Sequence, residues 1–227
     1  MTKTIVVLGA TGNQVLHPFP RITWSYLTVY QGGSVVRTFL SKGWHVRGIT
    51  RSTTSPAAQS LISKGAELVT ADIDSPSTLV SAFKDTHVIF GMTDFWETYF
   101  RKFPSLSKIS DRATGEYAKG IEIQRGKNLV DAAEQVLKKD GILELFIYST
   151  LPPFKDISGG KYTYIYHYDG KAVVSEYLKS KKDLWARSSL FNAGFYTSNI
   201  KNYDVSMWKE QVRYFEFPFG IFFGIKH

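Results

Sequence analysis

The chain has 227 residues, a net charge of +8 at neutral pH, 43% hydrophobic and 21% charged residues, and no cysteine. Such a length suits one sizeable α/β domain, alone or with a small lobe, and such a composition excludes disordered and fibrous classes. The lack of cysteine excludes disulfides, thiolate metal sites and a cysteine nucleophile, and it agrees with a reducing compartment, cytoplasmic or nuclear or both.

Residues 4–8 form an apolar run ending at Gly9, which predicts a buried parallel strand and is too short for the core of a signal peptide. Residues 34–41 read as a helix and "WHVRGIT" (44–50) as a second strand. Helical spacing over 56–64 stops at Gly65, a C-terminal cap, and a third strand follows at 67–70. Ser75 and Pro76 place a cap and a first-turn proline before "PSTLVSAFK", and 87–91 is a fourth strand. A long loop then leads to a helix over 116–139, a fifth strand over 143–149, a helix over 169–179 and a sixth strand over 184–190. The basic cluster Lys179, Lys181 and Lys182 lacks interleaved aromatics and any DNA-binding motif, so a solvated helix end is favoured over a nucleic-acid contact. The late apolar run 217–225 falls far short of the ~20 residues that cross a bilayer, and no membrane segment is expected. Strands alternating with helices at this spacing predict an α/β fold built on a doubly wound parallel sheet.

The first strand leads into "GATGNQ" (9–14), while "GGSVV" begins only at Gly32. In a dinucleotide-binding βαβ unit one glycine makes the tight turn, another admits the pyrophosphate and a third lets helix pack on strand. Gly9, Gly12 and Gly32 with Gly33 fit those roles only if the chain between them is set aside. Spacing agrees: the residue that meets the adenosine ribose lies about 20 residues past the glycines. Arg51, which ends the second strand, is 39 positions from Gly12, and 22 once residues 15–31 are removed.

"GATGNQ" with "GGSVV", "VRGITRS", "GMTDFW", "GKNLVDAA", "SGGKYT" and "NAGFY" together resemble the NmrA-like family of atypical short-chain dehydrogenases/reductases. The match runs to about Tyr214 apart from residues 15–31. It implies an NAD(P)-binding Rossmann domain over 1–190 and, over 191–227, the start of a C-terminal lobe shorter than the family's. Residues 15–31 have two readings, a retained intron translated in frame or a genuine surface loop. Every valine codon begins GT and glutamine can be CAG, so Val15 and Gln31 permit intron boundaries; long structureless loops in compact domains are uncommon.

The resemblance implies that the turn residues Gly9, Thr11, Gly12, Asn13 and Gln14, with Gly32, hold NADP, with NAD as the alternative. Arg51 favours NADP, because a guanidinium matches a phosphate where an NAD site carries an acid. Ser52 adds a hydroxyl, and the resemblance puts Asp72 near the adenine and Thr93 on the ribose side; a loop hydrogen bond is an equal reading for Asp72. Short-chain reductases place a tyrosine four residues before a lysine, which lowers its pKa for proton donation. Lys171 has His167 at that position, and Tyr164, Tyr166 and Tyr168 are out of register. Ser149 falls where the superfamily keeps a catalytic serine, and the resemblance makes Lys171 a contact of the nicotinamide ribose. The catalytic candidates are therefore Ser149, His167 and Lys171, and no metal site is expected.

Three functions fit this pattern. The first is an NADP-binding sensor or regulator whose partner is a transcription factor or other regulatory protein. The second is an NADP-dependent reductase using Ser149, His167 and Lys171, and the third is the defective product of an unspliced transcript.

Overall fold

A computed structural model describes residues 2–11, 29–110 and 112–192. Most of the expected insertion (15–28) and of the expected lobe (193–227) lies outside those residues. The most thoroughly buried apolar run, Ile5 to Val7, has no exposed surface and forms the centre of a sheet. That strand, β1 (Thr4–Val7), pairs with β2 (His45–Thr50) on one side and β4 (Val88–Gly91) on the other. Beyond them lie β3 (Glu67–Thr70), β5 (Leu145–Thr150) and β6 (Ser188–Asn192). All pairings are parallel, in the order β3-β2-β1-β4-β5-β6. This is the order of a dinucleotide-binding Rossmann sheet, with its reversal between β1 and β4, and β6 extends two residues past the expected boundary at 190.

The connections are α1 (Val29–Ser41), α2 (Pro56–Ile62), α3 (Pro76–Ala82), α4 (Phe95–Leu106), α5 (Ala113–Asp140), α6 (Phe154–Ile157), α7 (Tyr166–Ser180) and α8 (Lys182–Trp185). Four expectations are corrected. First, α1 begins at Val29, so the last three residues assigned to the insertion are helical. Second, α4 occupies what spacing leaves as a loop; Asp94 caps it, its carboxylate accepting from the Trp96 and Glu97 amides at 2.9 and 3.3 Å. Third, 182–185 is a helical turn, and the sixth strand starts only at Ser188. Fourth, Ser75 makes no side-chain cap bond; the Thr78 hydroxyl donates to the Ser75 carbonyl instead, at 2.7 Å. Two members of the basic cluster at the end of α7 are paired within the protein. Lys181 lies 2.7 Å from Asp131 and 2.9 Å from Glu134, and Lys179 lies 2.6 Å from Glu176.

Candidate functional site

Open α/β sheets bind ligands beyond the carboxyl ends of their strands, where the strand order reverses. Here that point is the turn after β1. Gly9 has φ +67, and a Cβ on it would lie 2.6 Å from the Met92 sulfur. Gly32, in the first turn of α1, abuts the Gly9 carbonyl, and a Cβ there would lie 2.6 Å from the Leu8 carbonyl oxygen. Two missing side chains thus let the start of α1 rest on the end of β1. Gly12, Asn13 and Gln14 lie outside the described residues. Gln31, which spacing assigns to the insertion, is buried beside Gly32, and its Oε1 accepts from Ser149 Oγ at 3.0 Å. Removing 15–31 or 14–30 yields the same chain, because a glutamine stands at either end. Among the described residues, Gln31 is the glutamine on this edge.

On the β2 side, the Thr11 and Thr50 hydroxyls are 3.1 Å apart. Thr50 Oγ1 donates to the Ser52 carbonyl at 3.0 Å and accepts the Ser52 amide at 3.2 Å. Thr50, which the motif analysis passed over, therefore joins the glycine turn to the segment carrying Arg51 and Ser52. The Arg51 side chain is 63% exposed, its Nη1 3.7 Å from Glu97 Oε1. Asp72 is exposed and closes a local turn, Oδ1 accepting the Asp74 amide at 3.0 Å. This geometry corresponds to the loop reading of Asp72.

A buried polar network lies beyond β4 and β5. The Lys171 ammonium donates to the Thr93 carbonyl at 2.7 Å, the Thr93 hydroxyl at 2.9 Å and Glu122 Oε1 at 2.7 Å. An ammonium has three donors, so all are engaged. Thr93 Oγ1 donates to the same Glu122 oxygen at 2.8 Å. Burial pushes the Glu122 carboxyl above the ordinary range, against the lowering pull of Lys171. Glu122 belongs to no motif, since an acid within a long helix reads as a solvated face. Ser149, His167 and Lys171 share the edge, but Ser149 bonds Gln31 while Lys171 bonds Thr93 and Glu122.

His167 packs among rings, with centroids 5.0 Å from Trp96, 5.7 Å from Phe95 and 4.8 Å from Tyr168. Burial, helped by the Lys171 charge, lowers its pKa from 6.5 to about 4. The imidazole is therefore neutral at pH 7 and holds no imidazolium proton to donate. Its folded pKa lies below its unfolded one, so from pH 6.5 down to about 4 the unfolded chain takes up the proton and the folded chain resists it. Full stability is present above that window and is lost as pH falls through it, by about 3 kcal/mol at 1.36 kcal/mol per unit. His167→Phe should flatten the fall in urea-unfolding stability between pH 6.5 and 4; an unchanged slope would place the ring in water.

Among the described residues, no cluster of histidine and carboxylate side chains could hold a metal, and no helix is long and apolar enough to cross a membrane. Residues 27–216 match the NmrA-like family. A curated relative from Cladobotryum sp., described as an NmrA-like family domain-containing oxidoreductase FrzB, is 32% identical over 163 residues, 71% of this chain and 38% of its own. The chain thus spans well under half of that relative's length. The crystal structure of NmrA, a negative transcriptional regulator, in complex with NADP superposes with a TM-score of 0.59 at 24% identity, over 87% of this chain and 47% of that one. The same regulator in complex with NAD gives a TM-score of 0.58, also at 24% identity, over 87% and 47%. These likenesses give the same fold as the sheet order.

Proposed function

The chain belongs to the NmrA-like family, and we propose that it is an NADP(H)-binding sensor with little dehydrogenase activity, presenting different surfaces to a regulatory partner with and without cofactor. The residues fit the cofactor. Gly9 and Gly32 let the start of α1 lie against the end of β1, where a Cβ on either would clash, and the exposed Arg51 guanidinium suits a phosphate. When bound, the nicotinamide supplies hydride chemistry. One observation carries the preference for sensing over turnover: Lys171 has all three donors engaged inside the protein and a buried, neutral His167 where a reductase keeps its tyrosine. The regulator reading implies a transcription factor or similar protein as partner, in cytoplasm or nucleus. A reductase remains the second reading, supported by the oxidoreductase description of the Cladobotryum relative.

Partner capture that follows the NADP/NADPH ratio would support the sensor. Stoichiometric NADPH oxidation with a panel of carbonyl compounds, abolished by His167→Ala with cofactor binding intact, would replace it with the reductase. Arg51→Ala should lower NADP affinity by roughly 1.5–3 kcal/mol, the worth of a charge-assisted phosphate contact, and leave NAD affinity unchanged. Equal calorimetric affinities for the two nucleotides before mutation would remove Arg51 from the site.

A further inference from the structure

Three guanidinium groups and two carboxylates meet beside the ends of β2, β3 and β4. Arg125 is only 11% exposed and grips Asp74 with two bonds, Nη2 to Oδ2 at 2.7 Å and Nε to Oδ1 at 2.9 Å. Its Nη1 reaches Glu97 Oε2 at 3.0 Å and Thr98 Oγ1 at 3.1 Å. One largely covered cation is therefore bound to both acids, and the Arg125 bonds hold Asp74 below the usual carboxylate range.

The other two arginines are the surplus. Arg51, after β2, and Arg101, one helical turn beyond Glu97 on α4, both approach Glu97 Oε1, at 3.7 and 3.9 Å. These separations exceed a hydrogen bond, and the two side chains are 63% and 56% exposed, so both keep donors for an incoming ligand. Since both lie within 4 Å of one carboxylate oxygen, a single tetrahedral anion of similar size can touch both. Five charged groups with one net positive charge, carried by the two exposed members, make a receptor for an anion.

We propose that Arg101 is the second guanidinium of a phosphomonoester clamp, gripping with Arg51 the 2′-phosphate on the adenosine ribose. The proposal rests on the NADP reading above but needs only the adenosine half of that ligand. Glu97, held through its other oxygen by Arg125, keeps the two exposed guanidiniums together.

The test uses the whole chain, titrated with NADP and NAD and, separately, with adenosine 2′-phosphate and adenosine 5′-phosphate. Arg101→Gln should cut the preference for the 2′-phosphate roughly tenfold in both pairs and leave NAD affinity unchanged, with Arg101→Lys retaining part of it. Discrimination equal to wild type in Arg101→Gln would overturn the clamp while leaving the NADP reading in place. No preference for adenosine 2′-phosphate in the wild-type chain would overturn it as well. Selective, Arg101-dependent binding of adenosine 2′-phosphate without binding of either dinucleotide would uphold the clamp and defeat the NADP reading.

Discussion

Replacing Lys171 by methionine is expected to cost about 3–5 kcal/mol of folding stability, because it leaves a buried carboxyl group without its cation. The partner, Glu122, is 1% exposed, and its Oε1 receives both the ammonium and the Thr93 hydroxyl. Its Oε2 has no hydrogen-bond partner among the described residues. With the lysine gone, the carboxyl must take up a proton or disrupt the packing of α5 on α7. Lys171→Met with Glu122→Leu should be markedly less destabilised than Lys171→Met alone, since removing both members of a buried pair leaves no charge behind. Urea midpoints of the wild type, both single variants and the double variant measure this. Additive losses would mean that the pair is solvated and its energy small.

Gly32→Ala should be the second large loss, and Gly33→Ala its opposite. A Cβ on Gly32 meets backbone, the carbonyls of Gly9 and Leu8, and Leu8 is held in place by the bond from its amide to the Phe90 carbonyl at 3.0 Å. Backbone at the tethered end of a strand cannot turn aside as a side chain can, so α1 must lift from β1. That movement would loosen the wholly buried Val36 and the Gln31–Ser149 bond. Forced overpacking of this kind costs typically ~1–3 kcal/mol, occasionally more, and here it also moves the start of α1 off the turn after β1. A Cβ on Gly33 has its nearest neighbours at 3.5 Å, an ordinary contact. Gly33→Ala should therefore be neutral or gain up to ~1 kcal/mol from helix propensity. Thermal denaturation of the two variants side by side would show opposite signs; equal losses would mean that α1 does not approach β1 through Gly32.

The six strands were legible because buried parallel strands are short continuous apolar runs closed by glycine or polar residues, as in the Thr4–Val7 and Val88–Gly91 segments. Their parallel arrangement followed from the alternation of strand and helix, while the order β3-β2-β1-β4-β5-β6 came from the structure. The helix Phe95–Leu106 was hidden by its aromatic density, although Asp94 and Glu97 stand at the spacing of an N-terminal capping box. The site was legible only where local chemistry demands a residue type, as at Gly9. Lys171 and Glu122 are 49 positions apart, and Ser149 and Gln31 are 118 apart. Periodicity carries no trace of such pairs, because they are set by how α5, α7 and α1 cross the sheet. Sequence alone could not single out Gln31 for a simpler reason: two glutamines, Gln14 and Gln31, stand at equivalent ends of the interrupted turn.

Pyrophosphate binding needs the turn amides and the helix N-terminus presented together, and residues 15–28 separate them in sequence. Closing a longer loop adds little entropy cost, so the sheet tolerates the interruption better than the ligand does. The decisive measurement is a calorimetric titration of NADP into two folded preparations, the chain as it stands and the chain lacking residues 15–31. Saturable one-to-one binding by the shortened chain, tighter than its binding of NAD and much tighter than NADP binding by the chain as it stands, is the expected result. A folded shortened chain that binds neither nucleotide would contradict the assignment of this edge as an NADP(H) site.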